Sequence, residues 1–244
     1  MNKHNKLQSA LTICSWLVFS GCLGSHTTKA QCKSDIEEFN IHGPLDSMRY
    51  YEYSAEGDML YFLTLRFDEN GQERSRTSFW ASDQFQPSQT VYEFNDMGLK
   101  VKEYRFDALG KLEYYLKFNY DTQGYLLNDS LFVSDGRLWN FSSYEYDSLC
   151  NEVDFKYHYE DGGIWFWYSY SYGFGKKESM YDHIESMTYE YYYDEFGNCS
   201  SIKDVVNEEE SKWEYTYDGK NNWTSRLQID SGELERREYF YADQ

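Results

Sequence analysis

The sequence predicts an all-β protein, an antiparallel meander of hairpins. Three observations carry the prediction. Residues 111–120, KLEYYLKFNY, place Leu112, Tyr114, Leu116, Phe118 and Tyr120 on one face and Lys111, Glu113, Tyr115, Lys117 and Asn119 on the other, the two-residue period of a half-buried strand. The run then breaks into Asp121-Thr122-Gln123-Gly124. There an aspartate can receive amides from further along the chain, and a glycine can take the left-handed conformation that closes a hairpin. The composition suits repetition of this device: 26 tyrosines and 16 phenylalanines stand against two prolines, Pro44 and Pro87, which favours long strands.

The repetition is regular. Units of the form aromatic-x-aromatic-Asp-x-x-Gly read YRFDALG (104–110), FNYDTQG (118–124), YEYDSLC (144–150) and YYYDEFG (191–197), with YEFNDMG (92–98), LRFDENG (65–71), YEYSAEG (51–57) and YTYDGKN (215–221) as variants. Asp68, Gly71, Gly98, Asp107, Gly110, Asp121, Gly124, Asp147, Asp194, Gly197 and Asp218 are accordingly assigned to turns. Gly98, Gly124 and Cys150 are spaced by 26 residues, and so are Gly110, Gly136 and Gly162. Two interleaved series at one period describe a meander whose alternate turns lie at opposite sheet ends. About a dozen strands exceed the comfortable width of an open sheet. The expectation is a curved or rolled sheet, or two packed layers, with edges covered by charge or by the N-terminal segment.

These units, with Leu112, Leu126, Leu138 and Ile164 two places after their turns, resemble the YD repeat of RHS-type proteins and teneurins over most of residues 49–241. The resemblance implies architecture rather than activity. In large members such repeats coil into a shell around a toxin, for which 244 residues are too few.

The N-terminus reads as an export signal over residues 1–21: Lys3 and Lys6, an apolar stretch from Leu7 to Phe19, then Ser20 and Gly21 before Cys22. Its apolar stretch is too short to span a bilayer comfortably. LVFSGC resembles the lipobox of bacterial lipoproteins, although Phe19 stands where leucine is usual. The resemblance implies acylation of Cys22, a polar tether over 22–41 and one repeat domain over 42–244. Several acyl chains supply a stable anchor where one would not. Cleavage after Ala30 is the alternative. The tyrosine-rich style resembles Bacteroidota lipoproteins, where acids just after the cysteine direct some to the cell surface. Here acids begin only at Asp35, which favours the periplasmic face of the outer membrane.

A formal charge of −19, which becomes −21 when Lys3 and Lys6 leave with the signal, excludes nucleic acid and anionic headgroups as natural partners. Cys32, Cys150 and Cys199 permit at most one disulfide and show no Cys-x-x-Cys spacing. His26, His42, His158 and His183 have no metal-ligand spacing, and no cofactor motif occurs. Turn duty accounts for the repeated aspartates, and strands of roughly 25–33 Å would hold those of successive turns apart. A non-catalytic envelope protein that binds or scaffolds a protein or glycan is therefore the leading reading. A carbohydrate-binding accessory protein of a glycan-uptake system is a second reading. A glycan-active enzyme, needing two carboxylates within about 10 Å, is a third.

Trp165 and Trp167, in IWFWYSYSYG, are the candidate ligand-stacking residues. Strict alternation puts both on the face opposite Phe166, Tyr168, Tyr170 and Tyr172, where they would stack on a sugar or a protein. Burial of both faces between layers is the alternative. Asp-Ser-aliphatic triplets at 46, 129 and 147 match an O-glycosylation acceptor known in Bacteroidota.

Overall fold

The computed structural model describes residues 41–81 and 86–241. The expected signal (1–21), Cys22, Cys32 and all of the expected tether except Ile41 lie outside the described residues. The strands are β1 (Leu45–Tyr53), β2 (Met59–Phe67), β3 (Glu73–Trp80), β4 (Pro87–Phe94), β5 (Lys100–Phe106), β6 (Leu112–Tyr120), β7 (Leu126–Val133) and β8 (Leu138–Tyr146). They continue as β9 (Glu152–Tyr159), β10 (Ile164–Gly173), β11 (Lys176–Asp182), β12 (Met187–Tyr193), β13 (Cys199–Asp204), β14 (Glu209–Tyr217), β15 (Trp223–Gln228) and β16 (Leu234–Tyr241).

Each strand pairs antiparallel with its sequence neighbours, and β1 pairs with β16 from Leu45↔Tyr241 to Tyr53↔Leu234, closing the meander into a barrel. Closure corrects the expected open rolled sheet or pair of layers. With sixteen described strands instead of about a dozen, the first and last satisfy each other, so the described sheet has no edge for charge or the N-terminal segment to cover.

The turns explain the period. Asp68, Asp107, Asp121, Asp147, Asp194 and Asp218 each accept, through Oδ1, the amides of the residues two and four places on, at 2.8–3.0 Å. Gly124 follows at φ 96°, while Gly71, Gly98, Gly110 and Gly197 hold the same corner at φ 75–90°. Cys150 and Asn221 occupy it without being glycines, at φ 69° and 64°. A register shift beside each corner, as between Asn119 and Tyr120, absorbs the extra residue.

The turns β2–β3, β4–β5, β6–β7, β8–β9, β10–β11, β12–β13 and β14–β15 share one rim, which tyrosines clasp together. Tyr215 donates its hydroxyl to the Cys199 carbonyl at 2.6 Å, and Tyr239 to the Trp223 carbonyl at 2.7 Å. Tyr217 bonds the Asp194 carboxylate. The other turns form the far rim. Asp68, Asp121, Asp147, Asp194 and Asp218 therefore share the clasped rim, and of the six only Asp107 stands at the far one. Aspartates of successive turns, Asp107 and Asp121, stand at opposite rims as expected, but most far-rim corners are built from other residues, such as Ser54, so the remaining aspartates share one rim.

Inward residues form two apolar clusters. One joins Ile41, Leu45, Met48, Leu63, Leu65 and Phe67, so the chain enters the core at the last residue of the expected tether. The other joins Leu126, Tyr144, Phe155, Tyr168, Met180 and Tyr189. The outward face carries charged pairs: Arg49–Glu238 at 3.5 Å, Lys102–Glu93 at 2.8 Å, Lys156–Glu145 at 3.8 Å and Lys212–Glu210 at 2.9 Å.

Candidate functional site

The two tryptophans of β10 do not share a face. A bulge lies between Ile164, opposite His158, and Phe166, opposite Tyr157, and Trp165 is its extra residue. The bulge swings Trp165 towards the inward series. Its ring stacks on Tyr159 (centroids 5.2 Å, planes 9° apart) and on Phe166 (5.1 Å, 14°), and tilts against Tyr157 at 5.7 Å. Trp167 stays outward. This corrects the shared face that strict alternation implied, because one inserted residue reverses the parity of everything before it.

From Trp165 the stacking runs inward. Phe166 stacks on Tyr168 (6.1 Å, 15°), and Tyr168 on Phe155 (6.2 Å, 7°). Five rings thus make a column from Tyr159 and Trp165, 46% and 45% exposed at the far rim, down to Phe155 at 2%. Asn140 lies opposite Tyr159 on β8, with 8% exposure. One pair deeper, Asp129 faces Ser142 across β7–β8, and Ser142 faces Tyr157 across β8–β9. Asp129 accepts hydrogen bonds from Tyr144 Oη at 2.6 Å and Ser142 Oγ at 3.4 Å. Burial nevertheless pushes its carboxyl up to about 6. Burial also holds Glu152, on β9, at about 7.

Trp167 belongs to an outward network. Its ring stacks on His183 at 3.9 Å, its Nε1 donates to Asp154 Oδ2 at 2.7 Å, and Lys156 lies over it at 4.9 Å. Ser169 Oγ donates to Asp154 Oδ2 at 3.1 Å and meets His183 Nε2 at 2.7 Å. Which of Ser169 Oγ and His183 Nε2 donates to the other depends on the imidazole tautomer. The stacking on His183 and the bond to Asp154 fix the Trp167 ring.

Charges also lie inside the barrel. Arg76 grips Glu73 with Nε at 2.9 Å and Nη2 at 2.8 Å, while Tyr92 donates to Glu73 at 2.6 Å. Burial alone would raise Glu73, but Arg76 holds it below the usual carboxylate range. Arg226 grips Glu235 with Nε and Nη2 both on Oε1. Burial, reinforced by Glu235 and Glu233, lifts Glu52 to about 7. Sequence reading missed Asn140, Asp129, Glu73 and Glu52. The available signal was a polar residue at an inward position of the two-residue period. Cys150 and Cys199 are free thiols, and among the described residues no group of three His, Cys, Asp or Glu could hold a metal ion.

No family model and no curated protein matches the chain. Among solved structures it is similar to a porin-like protein from Bacteroides uniformis, with 11% sequence identity and TM-score 0.59 over 82% of this chain and 99% of that chain. A structure of TcdB2-TccC3 aligns at 13% identity and TM-score 0.27 over 73% of this chain and 12% of that chain. The first likeness is one of fold. Fold and topology together define the class: an antiparallel all-β barrel made by a closed meander.

Proposed function

We propose that the protein is a non-catalytic binding or scaffolding barrel of the cell envelope, of YD-repeat descent, held at the membrane by acyl chains on Cys22. The observation that carries this reading is the charged outer wall. A barrel crossing a bilayer presents an apolar band, and a charge facing lipid at its midplane costs about 2–4 kcal/mol. Ion pairs on β1, β4–β5, β8–β9, β14 and β16 suit a wall surrounded by water. Attachment then falls to the Ser-Gly-Cys sequence at 20–22, with residues 23–40 as spacer and the periplasmic face as the favoured side. The porin-like fold of the Bacteroides uniformis protein is compatible with an envelope setting. Turn and clasp duties absorb the repeated aspartates, which supports binding over catalysis.

Metabolic labelling with a palmitate analogue tests the anchor: label should enter the full-length chain and be absent from Cys22→Ala. Label absent from both, or retained by the variant, overturns it.

A further inference from the structure

Resting on the reading of the barrel as a binding module, we propose that its far-rim mouth between β8 and β10 is a subsite for a neutral pyranose ring, which stacks on Tyr159 or Trp165 and hydrogen-bonds the Asn140 amide. The site has both parts that sugar recognition needs. The ring column ends in two half-exposed, near-parallel rings, and the flat C–H face of a pyranose can continue it as the next member. Beside those rings, Asn140 is 92% buried by its 8% exposure, yet its side-chain amide has no hydrogen-bond partner among the described residues. The amide atoms are open to water rather than sealed among other side chains, so the hydroxyls of a sugar can reach them, donating to the carbonyl oxygen and accepting from the NH2 group.

Charge narrows the ligand. At −19 the protein repels uronic, sialic and phosphorylated sugars, and it repels nucleotides equally, so the fitting ligand is an uncharged glycan. A purely apolar ligand would leave Asn140 unanswered. The Tyr157 hydroxyl, raised to about 12 by burial and by Asp129, stays protonated as a second donor one pair deeper.

The test screens the full-length chain against an array of neutral gluco-, manno-, galacto- and xylo-oligosaccharides, then titrates the best ligand by calorimetry. Trp165→Ala and Tyr159→Ala should each weaken binding by about tenfold and Asn140→Ala by about fivefold, while Trp167→Ala leaves affinity unchanged. No binding by the wild type at millimolar glycan, unaltered affinity in the ring variants, or an equal loss in Trp167→Ala overturns the subsite. Should circular dichroism show that a ring variant is unfolded, Asn140→Ser, which spares the column, decides: unchanged affinity overturns the proposal. The anchor is read separately. A palmitate-labelled chain that binds no glycan removes the subsite alone, and an unlabelled chain that binds one removes the anchor alone.

Discussion

Tyr241, on the last strand, donates its hydroxyl to Oδ2 of Asp218 in the β14–β15 turn at 2.5 Å. Asn222 in the same turn completes the closure. Its Nδ2 reaches Tyr241 Oη at 2.6 Å and the His42 carbonyl at 2.9 Å, and its Oδ1 accepts the His42 amide at 2.5 Å. One fully buried side chain thus ties both ends of the strand series together. The same clasp joins Tyr217 to Asp194 and Asn198 within the wall, so the seam reuses a device of the repeat.

Asn222→Ala should therefore destabilise the barrel by about 1–3 kcal/mol, because it strands the backbone polar groups of His42. Tyr241→Phe, which removes one hydroxyl, should cost about 1 kcal/mol. Denaturant midpoints measured by tryptophan fluorescence check both, and equal effects of the two variants would contradict the assignment.

Cys150 adopts a left-handed conformation at φ 69°, in the corner that Gly124 holds one period earlier. Cys150→Gly should raise stability by about 1 kcal/mol, since a side chain there is strained. Its contact with Tyr125 Oη at 2.7 Å is lost in exchange. A thermal melt of the variant that falls below wild type would show the contact to outweigh the strain.

Burial raises the carboxyls of Glu52 and Glu152 to about 7 and that of Asp129 to about 6. Between about pH 4 and 7 the folded barrel consequently holds more protons than the unfolded chain. Stability from these groups is complete below that window and is lost as pH rises through it, with each tenfold gain in proton affinity on folding worth about 1.4 kcal/mol. Glu73, held low by Arg76, acts oppositely and loses its contribution on stronger acidification. The melting temperature should peak near pH 5 and fall towards pH 8, with a flatter slope in Glu52→Gln and Glu152→Gln. Unchanged slopes would assign the pH effect to net charge.

Phe155 and Phe79 contrast the two faces. Phe155 is 2% exposed within the inner cluster, so Phe155→Ala should cost about 3–5 kcal/mol. Phe79 lies flat on Phe62 across β2–β3, at 4.1 Å and 3°, on the outer wall. Removing it should cost about 1 kcal/mol. Urea titrations of both variants check the order.

The hairpins were legible because their causes are local. An aspartate at 121 and a glycine at 124 suffice for a corner, and the alternation from Leu112 to Tyr120 suffices for a half-buried strand. Closure was not legible, because it depends on Leu45 meeting Tyr241, a pairing that no short-range pattern encodes. The face of Trp165 was lost to a single bulged residue, which alternation cannot register. Asn140 escaped notice because an amide inside LWNFSSYEY looks like an ordinary solvent-facing position until its partners across β7 and β9 are known.

A ring in which every wall element leans only on its chain neighbours, with one junction between first and last, has a circumference set by counting. Duplicating or deleting one two-stranded unit within the wall would leave every other pairing intact and require only that the junction meet again. Relatives of different girth could therefore arise by whole-unit steps, each widening or narrowing the interior without redesign of the corners.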